Sequence, residues 1–189
     1  MFKPVLAVAF AAVLSVSLAF PASADHYEVD PSHSSVGFSV MHFGVAETRG
    51  RFDDFAGTFE LSDEAFAIEV AVQAVSLNTN SEARDTHLKN ADFFDVENHP
   101  AITFKSTSAQ ETKGGWDVDG ELTLLGVTRP IEVVVRKVGE GETAYGYRAG
   151  LTCEFIINRS DFGMTWGVDN ETVGDEVTLT IALEGVKAE

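Results

Sequence analysis

Eight short segments in which apolar and polar residues alternate with period two constrain this chain more than any other feature. Val36, Phe38 and Val40 alternate with Ser35, Gly37 and Ser39. Phe55, Gly57, Phe59 and Leu61 share one parity, as do Ile68, Val70 and Val72, and then Ile102 and Phe104. Trp116, Val118, Gly120, Leu122 and Leu124 stand opposite Asp117, Asp119, Glu121 and Thr123. Ile131 to Val135, Ala149 to Ile157 and Val177 to Leu183 repeat the pattern. Successive strand side chains point to opposite faces, so clean alternation predicts antiparallel strands with one wet face and one dry face. Turn-prone residues such as Gly114-Gly115, Gly126 with Pro130, and Gly139 with Gly141 separate several segments. The expected class is all-β. About eight such strands tend to close into an antiparallel barrel, which removes exposed edges. A two-sheet sandwich is the alternative, because alternation does not distinguish the two.

Residues 78–100, "NTNSEARDTHLKNADFFDVENHP", break the pattern. Ser81 or Asn80 suits a helix N-cap, Glu82 and Asp85 sit in the first turns, and Pro100 ends the segment. This predicts a short helix near 81–89, an irregular turn around 91–95, and a cap over one barrel end.

Residues 1–24 have the form of a secretory signal peptide. Lys3 precedes the apolar run Val5 to Phe20, and Ala22-Ser23-Ala24 fits a cleavage site after Ala24. The expected mature domain is 25–189, exported, with a periplasmic location. An uncleaved anchor is the alternative, though the run is short for a span. Of 13 basic residues Lys3 belongs to the leader, leaving 12 against 30 acidic ones, a net charge of −18. Such a surface repels nucleic acid and anionic headgroups, so neither nucleic-acid binding nor stable membrane insertion is expected. Oligomeric state is not legible; a homodimer is compatible. Cys153 is alone, on the parity of Leu151 and Phe155, which predicts a buried thiol.

Sequence offers little for catalysis. There is no G-x-S-x-G elbow and no H-x-x-x-H or H-E-x-x-H spacing among histidines 26, 33, 42, 87 and 99. No catalytic residue, metal ligand or cofactor is assigned. What remains is a surplus of inward rings and aliphatics. Phe38, Val40, Phe55, Phe59, Phe104, Leu122, Leu124 and Phe155 fall on interior parity, while Phe93, Phe94 and Trp166 lie near the cap and strand ends. Eight-stranded barrels either fill with side chains or hold one small ligand. The small interior residues Gly57, Gly120, Ala149 and Cys153 favour an unfilled interior. His42 continues the greasy parity of its strand. It reads either as a hydrogen-bonded core histidine or as a group at the mouth meeting a ligand's polar end. Arg49, Arg51, Arg84 and His87 join His42 as candidates for an anionic head group. Arg84 beside Asp85 is equally readable as an ion pair fastening the cap.

The stretches "VDPSHSSVGFSVMHFGVAETRGRFDDFAGTFEL", "RDTHLKNADFF" followed by "HPAITFKST", "LTLLGVTRP" and "INRSDFG" resemble the YceI family of exported lipid-binding proteins. The resemblance implies a lipocalin-like eight-stranded barrel with a short helical cap. It also implies that a long amphiphilic lipid, a polyprenyl chain or isoprenoid-quinone-like molecule, lies inside as ligand rather than cofactor. The carrier reading stands beside two alternatives: a filled-core module that binds another envelope protein, and an enzyme acting on a bound lipid.

Overall fold

A computed structural model describes residues 24–62 and 64–188. The predicted leader falls outside the described residues apart from Ala24. In chain order the elements are β1 (Asp25–Val29), β2 (Ser35–His42), β3 (Ala46–Phe52), β4 (Phe55–Leu61), β5 (Phe66–Gln73) and β6 (Leu77–Asn78). Then come α1 (Glu82–Leu88), β7 (Ala101–Thr112), β8 (Gly115–Leu124), β9 (Val127–Thr143), β10 (Gly146–Asn158) and β11 (Val173–Lys187).

These eleven segments are eight strands, because three strands are bent. β1 and β2 both pair with β11 on one side, and on the other side β1 pairs with β4 while β2 pairs with β3. β4 and β3 in turn pair with β5 and β6. Strands β1/β2, β3/β4, β5/β6 and then β7 to β11 succeed one another around an antiparallel ring, and β11 returns to β1/β2. The sheet is therefore a closed barrel and not a sandwich.

The three bends form one crease. Asp30 turns the first strand, its carboxylate accepting the Ser32 N–H at 3.0 Å across Pro31–His33. Asp53 N–H donates to the Ser76 carbonyl at 3.2 Å, and Gln73 N–H to the Asp54 carbonyl at 2.9 Å, so adjacent bends satisfy each other's backbone groups. The crease divides the interior into two levels.

Below it the barrel is solid. Tyr27 is wholly buried and stacks on Phe59 at 4.9 Å and 11°, and Phe66 stacks on Trp116 at 4.7 Å and 15°. With Leu61 and Val118, also buried, these rings make a floor. Each contributes roughly 1.5–3 kcal/mol of apolar burial. The Tyr27 hydroxyl donates to Glu140 at 2.7 Å, and burial first, then this carboxylate, push its pKa well up. Above the crease, residues of the segments 79–100 and 159–172 close over the other end. The helix occupies Glu82–Leu88, close to expectation, with Ser81 at the N-cap position. The turn at 91–94 presents Phe93 and Phe94, and Phe93 packs with Leu122, Leu124, Phe162 and Met164 in a second apolar cluster.

β3 was not legible as a strand. Its inward residues, Ala46, Thr48, Gly50 and Phe52, are mostly small or polar, so no greasy face announces it.

Candidate ligand cavity

A cavity of about 600 Å³ runs from the capped end down to the floor. That volume lies in the ordinary range for small-molecule sites. Its side wall comes from inward-facing positions of nearly every strand: Val36, Phe38 and Val40 on β2, Phe104 on β7, Leu122 and Leu124 on β8, Cys153, Phe155 and Ile157 on β10, and Leu179, Ile181 and Leu183 on β11. α1 and the turn after it supply Leu88, Phe93 and Phe94.

The room does not come from the glycines. A Cβ placed on Gly120 would lie 2.4 Å from the Phe104 ring, and one on Gly57 would lie 2.6 Å from the Glu69 carbonyl oxygen. Gly50, directly opposite Phe38 in the β2–β3 register, would bring a Cβ to 2.3 Å from that ring's Cζ. Gly50 and Gly120 are seats for rings, while Gly57 admits the close approach of the β5 backbone. Phe38 and Phe104 lie flat along the wall over a neighbouring glycine, and their rings thereby stay out of the centre. Below the crease Phe59 does the same over Gly185, at 2.4 Å.

At the mouth, His42 ends β2 and lines the cavity, but it is exposed and rests on the Phe43 ring at 4.3 Å. It is therefore no buried core histidine, and its imidazole has no hydrogen-bond partner among the described residues. Arg84 also reaches the lining. Its Nε donates to Thr79 Oγ1 at 2.8 Å and its Nη2 to the Thr79 carbonyl at 2.7 Å. The same Thr79 hydroxyl, nearly fully buried, donates to Asp85. Arg84 and Asp85 meet through a threonine and not as a direct ion pair. His87 packs edge-on against both Phe93 and Trp166, each at 5.1 Å, and its Nε2 lies 3.1 Å from Asp92.

Most of the expected site residues converge here: Phe38, Val40, His42, Phe93, Phe94, Phe104, Leu122, Leu124, Phe155 and Trp166, with Arg84 and His87. Four do not. Phe59 lies in the floor and Phe55 is buried at the crease, both in the packed core; parity aimed them inward, but depth depends on where the strands bend. Arg49 and Arg51 alternate with the inward residues of β3 and so point outside. Arg49 pairs with Glu47 at 2.9 Å and Arg51 with Asp53 at 2.6 Å.

One important residue escaped the sequence reading. Arg159 is 2% exposed and lines the cavity. It donates to the carbonyls of Gly174 and Met164 (2.8 and 2.9 Å) and to those of Trp166 and Val173 (both 2.8 Å). A single guanidinium thus gathers the loop that carries Met164 and Trp166 over the mouth. Burial lowers its pKa, opposed by Asp175. The signal was present: Arg159 continues the inward parity of Cys153, Phe155 and Ile157.

Asp30, His33 and Glu184 are near enough to share a cation, but Arg148 fills that role, donating to Asp30 at 2.8 Å and to Glu184. Burial, then Glu154, push the Cys153 thiol up to about 11. Among the described residues no helix is long and apolar enough to cross a membrane.

The sequence matches the YceI-like domain over residues 27–185. It is 35% identical over 193 residues to the protein YceI of Escherichia coli, covering 99% of each chain. Among solved structures the fold is similar to BcnA of Burkholderia cenocepacia, with a TM-score of 0.76 at 22% identity over 82% of this chain and 98% of that one. It is also similar to a domain of Saccharophagus degradans described as polyisoprenoid binding, with a TM-score of 0.66 at 15% identity over 88% and 100% of the two chains.

Proposed function

This chain belongs to the YceI family, and from that membership and its hollow barrel we propose that it binds a long isoprenoid-type lipid within the cavity. The observation that carries the reading is the predominantly apolar wall from Trp166 at the mouth to Leu183 above the floor. The polyisoprenoid-binding description of the Saccharophagus domain, which shares the fold, supports it. A filled-core interaction module would have no use for such a space.

The energetics are sufficient. At ~0.8 kcal/mol per buried CH₂, a chain of about 20 carbons gains roughly 16 kcal/mol gross. Association and chain ordering offset about 4–15 kcal/mol of that. Burial along the wall therefore drives binding, and polar groups at the mouth orient the ligand. Phe38, Val40, Phe104, Leu122, Leu124 and Phe155 contact the chain, while Phe93, Phe94 and Trp166 enclose the end nearest the head. The protein acts as a binder or carrier and not as an enzyme. The leader-like character of residues 1–24 supports a site of action outside the cytoplasm, in the periplasm.

Native mass spectrometry of protein purified from its host tests this. A retained lipid, identified after extraction, is the expected result. Phe38→Glu or Phe104→Glu, each aiming a carboxylate into the cavity, should abolish loading. Folded Glu variants that still carry lipid would refute the proposal.

A further inference from the structure

An apolar tail explains an apolar wall, but it does not explain which charges surround the mouth. The chain carries 30 acidic residues. Among the described residues none of them lines the cavity, whose ionisable lining groups besides Cys153 are His42, Arg84, His87 and Arg159. The sorting is visible within α1. Arg84 and His87, three apart and so neighbours on one face, reach the lining, while Glu82 and Asp85 do not.

Three of the arginines away from the cavity, Arg49, Arg51 and Arg148, each hold a carboxylate, while Arg129 donates to the Asp161 carbonyl. Arg84 and Arg159 hold none at hydrogen-bond distance: the first is fixed by a threonine, the second by four carbonyls. Neutral acceptors orient a guanidinium without cancelling its charge. Carboxylates do stand behind this layer, with Asp85 on Thr79, Asp92 on His87 and Asp175 on Ser160. They brace the groups that face inward and are not themselves on the lining.

We propose that this mouth selects a lipid whose head is an anionic oxygen acid, a phosphate or a carboxylate. The proposal rests on the lipid-binding reading above and specifies the chemistry of the head at that same site. An anion entering the mouth meets a guanidinium with an uncommitted Nη1 on Arg84, an unpartnered imidazole on His42, and the field of Arg159. Charge-assisted hydrogen bonds of this kind are about twice as strong as neutral ones. The net negative charge of the outer surface does not oppose this strongly, because exposed charges are screened over about 8 Å in physiological salt while the cavity interior is not.

Delipidated protein is titrated with four ligands that share one chain: geranylgeranyl phosphate, geranylgeranoic acid, geranylgeraniol and geranylgeranylamine. Tryptophan fluorescence is the readout, with Trp166 on the lining and Trp116 beneath it in the floor. The two acids should bind about tenfold more tightly than the alcohol, and the amine most weakly. Arg84→Gln and, separately, His42→Gln should narrow the acid-to-alcohol ratio. The His42 imidazole makes no hydrogen bond among the described residues, so that variant stays informative even if Arg84→Gln disturbs the cap. Millimolar inorganic phosphate alone should leave the fluorescence unchanged; binding as tight as the lipid phosphate would reveal a free-anion site and overturn the proposal. Equal affinity for acid, alcohol and amine would overturn it while leaving lipid binding intact. If none of the four binds, both proposals fall.

Discussion

Replacing Gly50 with alanine tests directly whether glycine seats keep the barrel hollow. The added Cβ would lie 2.3 Å and 2.7 Å from the Phe38 ring and 2.9 Å from Thr79 Cγ2, against ordinary contacts near 3.5–4 Å. No backbone atom is among these neighbours, so the ring must give way by more than about 1 Å. Overpacking of this kind costs about 1–3 kcal/mol. Relieving the conformational entropy of a strand glycine returns about 0.5–1 kcal/mol. The net expectation is a loss of about 1 kcal/mol for Gly50→Ala alone. In a Phe38→Ala background the ring clash is gone and only the 2.9 Å approach to Thr79 Cγ2 remains against the entropic gain, so the same substitution should cost clearly less, close to zero. Urea denaturation of delipidated protein measures both, with a constant m-value as the check on comparability. The displaced ring has only the cavity to enter, so Gly50→Ala alone should also lower lipid capacity in native mass spectra. An equal cost in both backgrounds would show that Phe38 does not depend on Gly50.

The geometry sets three further outcomes. Cys153 lines the cavity with its thiol raised to about 11, so at pH 8 only about one molecule in a thousand carries the thiolate. Alkylation by a maleimide should be slow in delipidated protein and slower still once lipid is loaded. Asp30, held well below the usual carboxylate range by Ser32, Arg148 and His33, contributes stability that is present above the unfolded pKa near 4 and lost as pH falls below it. Thermal midpoints of wild type should therefore drop between about pH 4 and 2 more steeply than those of Asp30→Asn. Arg159→Leu leaves four carbonyls without their donor and should cost about 3–5 kcal/mol, with faster amide exchange in residues 163–173 as the local signature.

Period two carried the sequence reading far. It placed Phe38, Phe104, Leu122 and Phe155 on the wall, because facing is a local property of a strand. It could not place Phe55 and Phe59, because height in a barrel depends on where neighbouring strands bend. Arg49 and Arg51 show the opposite failure: closeness in sequence to His42 outweighed their own parity, which pointed outward. The alternation of Glu47, Arg49 and Arg51 was itself the trace of β3, written in charge instead of grease. Arg159 was missed because a cation on an inward parity contradicts the usual pattern, and its reward, four converging carbonyls, exists only after the loop has folded. The glycines misled in an instructive way. They do mark close approach, but the Phe104 ring takes it at Gly120 and the neighbouring backbone takes it at Gly57.

The first and last strands run side by side in opposite directions, with Tyr27 across from Lys187 and the Lys187 ammonium on Asp25. Both therefore have their outer ends at the blind base of the vessel, a full strand length from the opening. There the Ala188 N–H donates to the His26 carbonyl at 2.8 Å, closing the pair. A tether, affinity handle or fused partner attached at either point leaves the entrance clear.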